Sequence, residues 1–217
     1  MSLVIFDCDG VLVESEALAN RCEFQALQSL GHRIERDEYV DLALGRQAHQ
    51  IDALLLERHG IELPQGFWTR MVGQMEQLIQ TELVAVDGVA AAVQGVGRAT
   101  CVASGSGMAK LHLMLGLTGL LPHFEGRIFS TDLVNRPKPA PDVYLYAADK
   151  MGVPASKCLV VEDSLIGVEG SLAAGMTVLA FGGGKHITPG IRARLQSSGA
   201  HGFFDRMSQL PELVKKF

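Results

Sequence analysis

Two aspartates stand two residues apart at the end of an apolar run, Leu3-Val4-Ile5-Phe6-Asp7-Cys8-Asp9-Gly10. The run is short and rich in β-branched and aromatic residues, the pattern of a strand buried on both faces. In an extended chain, side chains two apart share one side. Asp7 and Asp9 therefore face the same way, while Cys8 points into the core as filler. Two adjacent carboxylates repel each other and lose solvation, so a cation must offset them or one must hold a proton. Gly10 lets the backbone turn sharply or approach a ligand closely. Taken alone, the stretch equally describes a strand followed by an Asp-rich turn.

Three more polar clusters follow apolar strand-like runs. Ser104-Gly105-Ser106-Gly107 leads into a helix, which places hydroxyls and free N–H groups at an anion-binding terminus. The bland alternative is ordinary helix capping. In Arg136-Pro137-Lys138-Pro139-Ala140-Pro141, prolines on both sides hold Lys138 in a stiff segment, where the alternative is a rigid surface linker. Glu162-Asp163-Ser164 opens another helix and reads otherwise as an acidic cap. Together the four clusters describe hard oxygen donors of the kind Mg²⁺ accepts. They also supply a lysine and N–H groups suited to a phosphate.

These endings meet only if the strands lie side by side. Strand-like runs at 3–6, 100–103, 127–129, 158–161, 177–180 and 202–204 alternate with helical periodicity at 108–115, 141–151, 165–174, 191–198 and 210–217. That alternation predicts an α/β fold with a parallel sheet flanked by helices. Ligands of such sheets bind at the carboxyl ends of the strands. The first crossover is far longer than a βαβ unit needs, and its surplus reads as helices at 14–30, 36–42, 47–59 and 65–82. Residues 14–83 are thus expected to form an inserted all-helical cap, with 1–13 and 84–217 as the sheet core. Leu54, Leu55, Leu56, Phe67, Trp68, Met71, Met75 and Leu78 are the expected cap core.

The 217 residues are 47% hydrophobic with a net charge of -5 and no basic block, which argues against nucleic acid or an anionic membrane as main partner. No apolar run approaches the roughly 20 residues of a membrane span. No signal peptide is expected at the N-terminus, which lacks a basic n-region. The four cysteines form no CxxC, and the seven histidines form no zinc-type spacing. A reducing, cytoplasmic setting fits.

The motifs Asp7-x-Asp9-Gly10-Val11-Leu12, Ser104-Gly105, Lys138-Pro139 and Glu162-Asp163-Ser164-x-x-Gly167 resemble the four signature motifs of the haloacid dehalogenase superfamily. The subgroup most similar is that of β-phosphoglucomutases and sugar-phosphate phosphatases. The resemblance implies a Rossmann-like, doubly wound parallel sheet with the first strand central and a helical cap. It implies Asp7 as nucleophile and Asp9 as general acid and base. Ser104, Gly105 and Lys138 would bind phosphate. Mg²⁺ would be held by Asp7, the Asp9 carbonyl and Asp163, with Glu162 in support. The substrate would be a small phosphorylated metabolite, and the protein a monomer or weak homodimer.

Cap residues expected to face the substrate are Glu16, Asn20, Arg46 and Gln47, with Gly45-Arg46 near the family's specificity loop. Lys185 and His186 are rim candidates. Asp9 argues against a dehalogenase, and a cap without lysine argues against a phosphonatase. The cap histidine of β-phosphoglucomutases falls near Ala19 or Asn20 here, which weakens the mutase reading. A phosphoryl-accepting or phosphate-binding module without catalysis is the alternative of another class.

Overall fold

The computed structural model describes residues 1–44 and 46–217. Six strands, β1 (Leu3–Phe6), β2 (Ala99–Ser104), β3 (Ile128–Ser130), β4 (Cys158–Glu162), β5 (Thr177–Phe181) and β6 (Gly202–Phe204), form one sheet in the order β3-β2-β1-β4-β5-β6. All pairings are parallel, and β1 is central between β2 and β4. Every residue of β1 is fully buried because both sheet faces are covered. Val4 and Phe6 pack on one face with α5 (Val89–Gly95), α6 (Met108–Leu117) and α10 (Leu210–Val214). Leu3 and Ile5 pack on the other with α7 (Asp142–Lys150). The pleat thus carries Asp7 toward the α7 side and Cys8 into the opposite core. Helices α8 (Leu165–Ala173) and α9 (Pro189–Gln196) complete the cover.

Between β1 and α5 lie α1 (Ser15–Ser29), α2 (Arg36–Ala43), α3 (Ala48–His59) and α4 (Phe67–Glu82). They share a core in which Leu27, Tyr39, Leu55, Phe67 and Met71 are buried, with Leu54, Trp68 and Leu78 packed against it. Leu56 is an exception to the sequence reading and is exposed. Three consecutive apolar residues in a helix point about 100° apart, so one must face water. Met75 packs instead against the sheet-side core.

The two connections to these helices are hydrogen-bonded to each other. Glu14 N–H donates to Val84 O at 3.0 Å, Val86 N–H donates to Leu12 O at 3.0 Å, and Val13 bridges Ala85 in antiparallel fashion. At the far side α2 docks on the sheet core. Val40 is buried among Val168, Val178, Ile191 and Leu195, and Thr188 Oγ1 donates to Asp41 Oδ1 at 2.5 Å. Helix α5 was not legible in the sequence, and α10 is shorter than its periodicity suggested.

Candidate active site

The strand ends bring distant residues together. Lys138 Nζ donates to Asp7 Oδ1 at 2.8 Å, to Glu162 Oε1 at 2.6 Å and to Ala103 O at 3.2 Å. All three side chains are buried. The lysine sits on a segment whose 138–139 peptide is cis. Its ammonium lies 4.9 Å from the centre of the Tyr144 ring, and Tyr144 OH donates to Glu162 Oε1 at 2.6 Å. Glu162 Oε2 accepts from the Asp163 and Ser164 N–H groups and from Ser164 Oγ. Each Glu162 oxygen thus already accepts from the protein, and the residue reads as the support that orients Lys138.

Asp9 is held differently. Its Oδ1 accepts from Ser15 Oγ at 2.6 Å and lies 3.5 Å from Lys110 Nζ; its Oδ2 accepts from Ser106 Oγ at 2.7 Å and Ser104 Oγ at 3.4 Å. Burial opposes the Asp9 charge, but Lys110 and the hydroxyls outweigh it and hold the carboxyl below its usual range. Asp7 is the opposite case: burial lifts it well above the usual carboxylate range even though Lys138 pulls it down. Asp163 is lifted by burial and then by Glu162. Lys138 stays protonated because Asp7 and Glu162 outweigh its desolvation. Two glycines make room for this crowding. Gly10 adopts φ +76°, and a Cβ there would collide with the Asp163 carboxylate; a Cβ at Gly167 would collide with Glu162.

Carboxylate oxygens of Asp7, Glu162 and Asp163 all lie within 4.8 Å of one another. Asp163 Oδ2 is buried and has no hydrogen-bond partner among the described residues. An oxygen cluster with an orphaned acceptor fits a hard divalent cation. His186, from the loop after β5, is buried with Nε2 3.0 Å from Asp163 Oδ2, close enough for an ion pair but without hydrogen-bond geometry. Burial depresses its basicity, and Glu16 and Glu14 oppose that.

A cavity of about 240 Å³ is lined by Asp7, Asp9, Ser104, Gly105, Lys138 and Asp163, and reaches Glu16 and Lys110. Enclosure, and then the charge of Asp9, push the Glu16 carboxyl up to about 7. Asn20 and Arg46 line an adjoining chamber. Gln47 lines neither. It is exposed at the start of α3, where its N–H donates to Gln50 Oε1 at 2.9 Å, because helix capping outbids the site for this residue. Gly45 lies outside the described residues. Lys185 is exposed, and its N–H donates to Glu14 Oε2 at 3.0 Å. Lys110 and Tyr144 were missed in the sequence. A lone lysine two residues into a helix reads as solvated, and a tyrosine on an apolar helix face reads as core. The available signal was that a buried phenol needs a partner.

Comparison with known proteins agrees with this geometry. The chain is 29% identical over 213 residues to a 6-phosphogluconate phosphatase of Escherichia coli K12, covering 98% of this chain and 94% of that protein. It is 32% identical over 177 residues to hexitol phosphatase B of the same organism, covering 79% of each. The structure matches a haloacid dehalogenase-like protein of unknown function from Agrobacterium tumefaciens with a TM-score of 0.95 at 33% identity, covering 100% and 98% of the two chains. The model of haloacid dehalogenase-like hydrolases matches residues 1–175, and the chain belongs to that family.

Proposed function

We propose that this hydrolase is a Mg²⁺-dependent phosphatase that releases phosphate from a small phosphorylated sugar or sugar acid through an aspartyl phosphate on Asp7. Relatives named as phosphatases of 6-phosphogluconate, hexitols and fructose 1-phosphate support that substrate class. The observation that carries the reading is the buried Lys138 bridging Asp7 and Glu162 beside the unpartnered oxygen of Asp163.

Lys138 holds one oxygen of Asp7 and fixes the direction of the carboxylate. An Asp7 oxygen attacks phosphorus, the ester P–O bond breaks, and Asp9 gives its proton to the departing oxygen. Asp9 is held ionised by Ser104, Ser106 and Lys110 before substrate arrives. A phosphoryl group competes for those donors and adds negative charge, so Asp9 gains the proton it must deliver. Ser104, the Gly105 backbone and Lys138 receive the phosphoryl oxygens. Asp9 then takes a proton from water, which attacks the acyl phosphate and frees Asp7. Asp7, Asp163 and the Asp9 carbonyl would hold Mg²⁺, which supplies positive charge against the meeting of two anions.

The test is phosphate release from p-nitrophenyl phosphate: turnover with Mg²⁺ and none with a chelator is expected. Turnover that chelation leaves untouched would refute the metal assignment. Mg²⁺ also has a stability signature. At a hundred times its Kd it adds about 2.7 kcal/mol, which for a chain of this size is roughly 5–10 °C in Tm. Asp163→Asn is expected to lose most of that rise, as read by a thermal melt with and without Mg²⁺.

The α2 latch makes a kinetic prediction. Asp41→Ala removes the acceptor of Thr188 Oγ1 and loosens the docking of α2, whose end carries Leu44 and Arg46, on the sheet core. The expected result is a KM raised roughly 3- to 10-fold with a smaller change in kcat, since one charge-assisted hydrogen bond helps to position the chamber wall. Initial rates across substrate concentration check it; unchanged KM would show that the contact does not position that wall.

A further inference from the structure

The phosphoryl cavity adjoins a second chamber of about 230 Å³, and the two share Glu16, Leu44 and His186 as walls. Water takes about 30 Å³ per molecule in the liquid, so the chamber has room for roughly eight waters or a short oxygenated carbon chain. Its polar lining is Glu16, Asn20, Glu23, Arg46 and His186.

These groups have a definite chemical preference. Glu23 is fixed in place, because the fully buried Tyr39 donates to its Oε2 at 2.8 Å. Burial holds its carboxyl above the usual range, so this chamber disfavours added negative charge, and the carboxyl oxygens are there to accept hydrogen bonds. His186 Nδ1 is buried and has no partner among the described residues, so it calls for a hydroxyl. Among the described residues Arg46 is the one cation on this lining, and its guanidinium donates to the Asp41 and Leu42 carbonyls at the C-terminal end of α2. The helix dipole favours it there. Lys110, on the wall of the first cavity, faces Asp9.

Resting on the phosphatase reading, we infer that the leaving group enters this second chamber and is a neutral polyol whose hydroxyls hydrogen-bond to Glu16, Glu23 and His186. A carboxylate at the far end of the leaving group meets Glu16 and Glu23 and is rejected. Specificity of this kind comes from repulsion of the wrong ligand as much as from attraction of the right one.

A matched pair tests it: glucitol 6-phosphate and 6-phosphogluconate have the same length and the same phosphate, and differ at carbon 1 in a hydroxymethyl or a carboxylate. With saturating Mg²⁺, kcat/KM is expected to favour the polyol ester by about tenfold or more. Glu23→Gln should narrow that ratio, and Asn20→Asp should widen it. The two variants move a charge in opposite directions, so misfolding of one leaves the other decisive. A wild-type ratio near one or in favour of the acid, or a ratio that neither variant moves, overturns the inference while p-nitrophenyl phosphate turnover keeps the phosphatase reading. Absence of phosphate release from all three esters overturns both.

Discussion

Asp7→Asn is expected to abolish phosphatase activity and to make the metal-free protein more stable. The activity loss follows from removing the attacking oxygen, and removal of a nucleophile costs about 10⁴-fold or more in kcat. The stability gain follows from the charge count. Asp7, Glu162 and Asp163 are buried around one cation, Lys138. Burial penalises the ionised form of Asp7, as it does that of Asp163. An amide keeps the shape and an acceptor for Lys138 while removing that charge. Loss of turnover with a higher Tm in chelator is the expected pair of results. Full turnover would refute the nucleophile, and lost turnover with a collapsed Tm would refute the charge argument.

Lys138→Ala is the reverse experiment. It leaves buried acids without their cation, and breaking a buried pair costs about 3–5 kcal/mol. Loss of a donor to the phosphoryl oxygens costs about 10²–10³-fold in rate besides. The pH dependence identifies the cause. The pKa values of Asp7 and Asp163 are raised in the folded protein, so the folded state binds their protons more tightly than the unfolded chain does. Stability from these groups is present at low pH and falls as pH rises from the ordinary carboxylate range through the folded values. Lys138→Ala should steepen that fall, and melts of the variant should recover toward wild type as the solution is acidified. Adding Asp7→Asn to Lys138→Ala should restore stability, a coupling that a double-mutant cycle measures. Equal losses at all pH values would mean that Lys138 acts through packing alone.

The sheet was legible because parallel strands must be apolar on both faces, and runs such as Leu3 to Phe6 and Cys158 to Val161 have no other stable home. The position of the acids was legible for the same reason: an apolar strand that ends in Asp7 or Glu162 places the charge at the sheet edge. Pairwise relations were not legible. Lys110 reaches Asp9 and Thr188 reaches Asp41 only because helices from distant parts of the chain pack together. Glu162 and Asp163 are neighbours with the same charge, yet one is saturated by protein donors and the other keeps an oxygen open. Strand alternation turns them to opposite sides, but only the fold shows what waits on each. Gln47 shows the converse: a polar residue expected to face the substrate stands instead at a helix start.

The hydrogen-bonded pair of connections at Glu14 and Val84 places the two ends of the 14–83 insertion in contact. A segment that departs and returns at touching points imposes no spacing on the sheet it leaves. The sheet can therefore keep its register whatever the length of that segment, while Ser15 at its start still donates to Asp9. A graft of a relative's segment between residues 15 and 84, which keeps Ser15 on Asp9, is expected to shift substrate preference while Asp7, Lys138 and Asp163 hold their places.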